Sequence, residues 1–143
     1  WQKVSIHEES ARVPLIISVP GKKPAACHSL SELIDLYPTI SALCGLDIPK
    51  NIQGKDISVM LDDPTFKIRD SILTSGKGRL LRTERWALLD YGKKGELYDM
   101  DKDPKQYENL FENSQYADTL SMLKEKLKTK LTEISNNDLY LNK

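Results

Sequence analysis

Residues 13–19, Val-Pro-Leu-Ile-Ile-Ser-Val, form a nearly unbroken apolar run that stops at Pro20-Gly21. Apolar side chains on consecutive rather than alternate positions suit a strand covered on both faces, as in the parallel sheet of an α/β protein. Such a strand needs helices above and below it, and the other 136 of the 143 residues offer few helical patterns. The expected fold class is therefore α/β, with this run at the edge of a core larger than the chain itself and an α+β arrangement over the remaining residues.

Leu30, Leu33, Ile34, Leu36, Ile40, Leu43 and Cys44 recur at nearly helical spacing, interrupted by Pro38. Proline is tolerated only in a first helical turn, so the spacing predicts a helix over 36–44 with Asp35 as its N-cap and Gly45 as its left-handed stop. Pro49, Gly54, Asp62, Asp63 and Pro64 then mark a loop crossing with one helical turn at 58–61. Beyond it the period shortens. Segments 71–75, 79–83, 86–91 and 96–99 are separated by Gly76-Lys77-Gly78, Glu84-Arg85 and Gly92-Lys93-Lys94-Gly95, the punctuation of a four-stranded antiparallel meander. Its solvent face is expected to carry Arg79, Lys93 and Lys94.

After a turn at 101–104, Leu120, Leu123, Leu127, Leu131 and Ile134 make one apolar stripe of an amphipathic helix over about 115–134. The predicted division is a first domain over 1–62, the end of an α/β core, and a small second domain over 63–143 that holds the meander and the helix. With barely two heptads, the stripe is expected to pack on the meander. A non-catalytic module that binds or assembles through the same stripe is the competing reading.

Lysine plus arginine (21) equal aspartate plus glutamate (21), so there is no global basic field for nucleic acid or an anionic membrane surface. No apolar run approaches the roughly 18 residues of a membrane span. The two cysteines, Cys27 and Cys44, have neither a disulfide framework nor zinc-site spacing, and Asp101, Asp103, Glu108 and Glu112 lack the glycine and ligand spacing of an EF-hand loop. No metal site is expected in this chain, and anion recognition must be local.

The densest polar cluster, Trp1, Lys3, His7, Glu8, Glu9 and Arg12, directly precedes the apolar run. Charges abutting a central strand lie at the sheet edge, where α/β folds build their sites. Read as charges alone, the cluster is a solvated surface loop. Its residues are more specific than that. Trp1-Gln2-Lys3, Glu8-Glu9-Ser10-Ala11-Arg12-Val13-Pro14-Leu15-Ile16 and Pro20-Gly21 resemble the W-x-K-x(4)-E-x(3)-R-V-P-L-I…P-G segment of the type I sulfatases. Asp35-Leu36-Tyr37-Pro38-Thr39 with Gly45-Leu46, Gly54-Lys55-Asp56, Arg82-Thr83-Glu84-Arg85-Trp86, and Glu96-Leu97-Tyr98-Asp99 with Asp103-Pro104 and Glu108-Asn109-Leu110 are similar to four further blocks of that family, in the same order. Among its members, the bacterial iduronate-2-sulfatase-like branch looks nearest.

The resemblance implies an alkaline phosphatase-like fold and a calcium-dependent sulfuric ester hydrolase whose formylglycine, made from a C/S-x-P-S-R motif, attacks the sulfur of a sulfate ester. Neither cysteine stands in such a motif. The chain therefore looks like the C-terminal quarter to third of an enzyme whose nucleophile and calcium ligands lie upstream, and it is expected to be inactive alone. Lys3 falls on the family lysine that contacts sulfate. A fixed ammonium holds the charge on the sulfate and leaving oxygens as the S–O bond breaks, and losing such a donor costs on the order of 10² to 10³ in rate.

Glu8 and Arg12 are read as a supporting pair that aims Lys3. Arg82, Trp86 and His7 are candidate substrate contacts: guanidinium and imidazole to an anion, indole to a sugar ring. The competing reading gives Arg82 to backbone carbonyls and Trp86 to the sheet–helix interface. The implied partners are a sulfated carbohydrate such as a glycosaminoglycan, or another sulfate ester, and the remainder of the sulfatase core. The implied location is outside the cell, in the periplasm or in a lysosome. A phosphonate or phosphate monoester hydrolase of the same superfamily is the enzymatic alternative.

Overall fold

The glycine-punctuated segments form one antiparallel sheet. In the computed structural model, which describes residues 5–136, β1 (Ser71–Ser75), β2 (Arg79–Thr83), β3 (Trp86–Asp90) and β4 (Gly95–Asp99) pair in sequence order. The register sorts side chains onto two faces. Leu73, Leu81, Leu88 and Leu97 stand opposite one another across the four strands on one face. Leu80, Leu89 and Glu96 make one row of the other face, and Arg82, Ala87 and Tyr98 make the next.

The first face is closed by the last helix. A helical turn at Ser114–Tyr116, begun by the Asn113 side chain accepting from Gln115 N at 3.0 Å, leads into α3 (Ala117–Ser135). Leu123 and Leu127 of α3 are buried against Leu81, Leu88 and Leu97, with Leu120, Leu131 and Trp86 packed around them. The stripe is thus consumed by the sheet, and the reading that leaves it free for assembly has no exposed stripe to use.

The second face is not open to solvent either. Residues 5–12, which include the single turn α1 (Glu8–Ala11), cross it, and Ile6 is buried among Leu80, Ala87, Leu89, Tyr98 and Met100. Arg79, Lys93 and Lys94 are exposed, but at a strand end and in a turn rather than on a solvent-facing sheet. Two compact units result. One holds residues up to 15 together with 71–131, and the other is built mainly from 16–70. This grouping by packing differs from the sequence division at 62/63 because a sheet that would expose Leu80 and Leu89 takes Ile6 as its cover.

In the second unit a 3-10 turn, Leu33–Asp35, runs directly into α2 (Leu36–Leu43). Asp35 has helical φ and ψ and makes no cap bond to α2, so its expected N-cap role is corrected. Its carboxylate points instead to Glu32 N, Lys55 N and Arg69. Pro38 does fall in the first turn, and Gly45, at φ 67°, ends the helix. Gly45 N donates to Ala42 O and Leu46 N to Ser41 O, the paired bonds of a Schellman motif. The expected turn at Ser58–Leu61 is present as a 3-10 helix.

The apolar run does not form the expected strand. Residues 13–19 have no strand pairing among the described residues, and Val13, Leu15 and Ile16 are 54%, 44% and 89% exposed. A strand exists only through a partner's backbone groups. The described sheet pairs β1–β4 only with one another. The helix α2 repeats the pattern with its sides reversed: Pro38, Thr39 and Ser41 are buried, whereas Tyr37 and Ile40 are exposed.

Candidate functional site

Lys3, the residue with the most direct expected role, lies outside the described residues. What is described is the segment it leads into and the way that segment is tied to the sheet. His7 and Glu8 sit over the face bearing Arg82 and Glu96. His7 Nε2 is 2.8 Å from Glu96 Oε2, and its Nδ1 is 3.0 Å from Ser5 Oγ. Glu8 Oε1 accepts from Arg82 Nε at 2.7 Å, and Glu8 N donates to Gln106 Oε1 at 2.9 Å. Both partners of the Glu8–Arg82 pair are 14% exposed at the side chain. Arg12 is 4.0 Å from Glu8 Oε2 and largely in solvent, a weak contact beside the Arg82 bond.

These ties fix where the candidate substrate contacts lie. Arg82 Nη1 donates to the carbonyls of Thr83 and Glu84 while its Nε holds Glu8, so this guanidinium is occupied with its own turn and with α1. Trp86 lies on the opposite face of the sheet. Its indole meets Tyr116 edge-on at 5.8 Å in the sheet–helix interface, and the Arg85 guanidinium lies 4.8 Å from its ring centre. Arg82 and Trp86, both candidate substrate contacts from the sequence, are thus separated by the thickness of the sheet, because positions 82 and 86 fall on opposite sides of the pleat. His7 lies over the same face as Arg82, bound to Glu96, while its neighbour Glu8 holds Arg82.

Glu96, which spacing did not single out for this role, organises that face. Its Oε2 receives both His7 and the Tyr98 hydroxyl, the latter at 2.7 Å. Burial and the Glu96 carboxylate push the Tyr98 phenol well above its ordinary range, and the same two causes raise Tyr91. Both phenols therefore remain donors at any physiological pH. Gln106, the other missed residue, carries no motif signal. It shows itself only through a φ of 58° and its bond to Glu8.

The recognisable blocks turn out to be brackets. Asp99, buried, takes Arg85 Nη2 at 2.7 Å, and this bond lowers its pKa against the opposing effect of burial. Asn109 Oδ1 accepts from Leu97 N and Phe111 N at 3.0 Å each, while Leu110 N donates to Leu97 O at 2.8 Å. In the other unit, Asp35 is fully buried and accepts from Lys55 N at 2.9 Å and Arg69 Nη2 at 2.7 Å. Thr39 Oγ1 accepts from Ile57 N at 3.1 Å, tying the same loop to α2. At Gly54 a Cβ would sit 2.0 Å from Ile34 O, so only glycine lets this loop approach.

Among the described residues no group of three or more His, Cys, Asp or Glu side chains is arranged to hold a metal ion. Neither cysteine stands in a C/S-x-P-S-R sequence. The described residues therefore do not themselves fit a calcium ion or a formylglycine. No described helix is long and apolar enough to cross a membrane.

Residues 1–133 match the family model described as N-sulphoglucosamine sulphohydrolase, C-terminal. The chain is 27% identical over 137 residues to an arylsulfatase of Clostridium perfringens, covering 87% of this chain and 28% of that protein. It is 29% identical over 134 residues to a Delta 4,5-hexuronate-2-O-sulfatase of Bacteroides thetaiotaomicron, covering 82% and 28%. Among solved structures, a candidate sulfatase from B. thetaiotaomicron superposes with a TM-score of 0.83 at 26% identity over 99% of this chain and 34% of that one. A phosphonate monoester hydrolase from Silicibacter pomeroyi superposes with a TM-score of 0.77 at 21% identity over 96% and 31%, a likeness of fold alone. The expected fold, an alkaline phosphatase-like edge followed by an antiparallel sheet and a C-terminal helix, is the one these neighbours share. The chain spans about a quarter to a third of the length of such relatives.

Proposed function

The chain belongs to the N-sulphoglucosamine sulphohydrolase C-terminal family, and from that membership we propose that it is the C-terminal part of a sulfatase that hydrolyses sulfate esters of carbohydrates. The observation that carries this reading is the family match over 1–133, which takes in Lys3 and every recognisable block after it. In this reading Lys3 is the catalytic residue of the segment: its ammonium holds charge on the sulfate oxygens as the S–O bond breaks. Calcium and formylglycine would belong to the remainder of the enzyme, where formylglycine supplies the nucleophile for sulfur.

The ties on the sheet support a division of labour around Lys3. Glu8 and Arg82 hold the segment, with His7 and Glu96 as a second bracket, and Arg12 contributes little. His7 is the one side chain of this group that is both beside Lys3 in sequence and partly open, at 37% exposure, so it is the one we place near substrate. Arg82 and Trp86 act in this reading as scaffold.

The substrate class is a sulfated sugar, supported by the Delta 4,5-hexuronate-2-O-sulfatase relative and by a solved 2-O GAG sulfatase at 26% identity and a TM-score of 0.63. A uronate-2-O-sulfate of a glycosaminoglycan fits best, in line with the iduronate-2-sulfatase-like blocks. The domain division follows the same logic: residues 1–62 complete the catalytic core and 63–143 form the small C-terminal domain. The exposed faces of residues 13–16 and α2 are then surfaces for the remainder of that core. An exported or lysosomal location accompanies the family resemblance.

The test uses the longer protein with its upstream core. Lys3→Ala should lower kcat for an aryl sulfate or a 2-O-sulfated uronate by on the order of 10² to 10³, with the thermal midpoint nearly unchanged. A retained rate removes Lys3 from the chemistry. A phosphonate monoester turned over faster than any sulfate ester would overturn the substrate class.

A further inference from the structure

One end of the sheet carries positive charge that the fold does not neutralise. Because β1 to β4 pair in order and antiparallel, the β1–β2 turn (76–78) and the β3–β4 turn (91–94) emerge at the same end, and the turn at 84–85 lies at the other. Over 75–79 and 90–95 the chain places four cations, Lys77, Arg79, Lys93 and Lys94, against one carboxylate, Asp90. All four are exposed, and none is held by a carboxylate among the described residues. Asp90 is the cross-strand neighbour of Arg79, yet its Oδ1 accepts from Gly92 N at 2.9 Å. The other guanidiniums of the sheet are spoken for, Arg82 by Glu8 and Arg85 by Asp99.

Tyr91 joins the two turns. A Cβ at Gly78 would lie 2.6 Å from its ring, so the position between Lys77 and Arg79 is kept to glycine by the aromatic side chain of the other turn. The Tyr91 hydroxyl engages Glu96, and the residue is 38% exposed. Two strand spacings set the turns about 10 Å apart, one Debye length at about 0.1 M salt, so their fields add along one strip. Fixed cations beside an aromatic ring suit a linear anion built of rings with an apolar face, which is a sulfated sugar chain: sulfates to the ammonium and guanidinium groups, sugar to the phenol ring. An anionic membrane is served less well. Basic membrane faces set Trp, Phe or Leu beside their cations, and these two stretches otherwise hold only serine, glycine, Asp90 and Tyr91.

We propose that this strip binds sulfated glycan chains, gripping the polymer through several sulfates at once. The choice of a sulfated glycan rests on the carbohydrate sulfatase reading; the local charge stands without it.

The experiment measures binding of the longer protein, with its upstream core, to immobilised heparin, alongside turnover of a small aryl sulfate. Lys77→Ser with Lys93→Ser, one lysine from each turn, should weaken heparin binding by roughly tenfold and make its salt dependence shallower. The matched control is Lys102→Ser with Lys105→Ser, which removes the same charge from exposed positions past the other end of β4. It should change binding by less than about twofold, because its charges are screened from the strip. Lys77→Arg with Lys93→Arg keeps the charge and should bind like the parent. Aryl sulfate turnover should stay at the parent rate in all three. Equal losses from the two serine pairs, or none from either, overturn the proposal. So does heparin binding that survives in Lys77→Ser/Lys93→Ser while binding to vesicles of phosphatidylserine and phosphatidylcholine in equal parts is lost, which makes the strip a membrane surface. Heparin binding lost as expected in a protein that hydrolyses no sulfate ester keeps the strip and removes the sulfatase reading.

Discussion

Asp35 shows how much a single carboxylate can do in this chain. Its two oxygens accept four hydrogen bonds, from Glu32 N, Lys55 N and both terminal nitrogens of Arg69, which uses every lone-pair position it has. Burial opposes its ionisation, but the Arg69 bonds and the two backbone donors outweigh that and hold its pKa below the ordinary carboxylate range. This shift sets the sign of the pH dependence. A group whose folded pKa is depressed adds stability above its unfolded value of about 3.9, and that stability is lost as pH falls through the lower folded value. Asp35→Asn should therefore flatten the fall in thermal midpoint below about pH 4. It should also cost about 3 kcal/mol at neutral pH, since it leaves the buried Arg69 guanidinium with only its looser contact to Glu32, at 3.7 Å. A chemical-denaturation series across that pH range checks both; a variant as stable as the parent at neutral pH would mean the pair is strained or dispensable. At this scale the sequence was half legible. The motif blocks containing Asp35, Glu96 and Asp99 stand out as letters, but their partners, Arg69, His7 and Arg85, are set by long-range contacts that no local pattern encodes.

Among the elements, the ones read correctly are those whose signals are local. Strand boundaries came from glycine-bearing turns, and differences of one residue have visible causes. β3 ends at Asp90 because Tyr91 N already closes the turn on Lys94 O and Gly92 takes φ 87°, while β4 starts at Gly95, where a Cβ would lie 2.2 Å from the Phe111 ring. The stripe of α3 was legible for the same reason, since its period is its own. Its energetic weight is uneven. Leu123 is fully buried between α3 and the sheet, so Leu123→Ala should destabilise the chain by about 2–5 kcal/mol in urea unfolding. Glu125, on the outer side and paired with exposed Lys128, should change stability by less than about 0.5 kcal/mol on substitution by alanine. Equal effects at the two positions would show that α3 is not docked through this stripe. The strand expected over 13–19 failed on the opposite ground. Hydrophobic run length reports what an element needs to bury, and pairing depends on a neighbour that lies elsewhere.

At the scale of the molecule, that unmet need is the informative quantity. The unit built from residues 16–70 buries Asp35, Arg69 and Thr39 together with Ile57 and Met60, and leaves many other apolar side chains outward: Ile16 is 89% exposed, Leu33 72%, Leu46 64%, and Tyr37 and Ile40 57% each. Monomeric soluble proteins rarely leave such clusters uncovered. If this face is where the remainder of the proposed enzyme docks, one pair of substitutions must act with opposite signs in two settings. In the 143-residue chain alone, Ile16→Lys with Ile40→Lys should reduce concentration-dependent self-association in sedimentation and the binding of a hydrophobic dye, because each change removes apolar surface from water at little structural cost. In the longer protein the same pair should lower the thermal midpoint, since two ammonium groups would be forced into an interface, at a cost of several kcal/mol. Improved behaviour in both settings would mean the face is solvent-exposed in the enzyme too, and the core would have to meet this chain elsewhere.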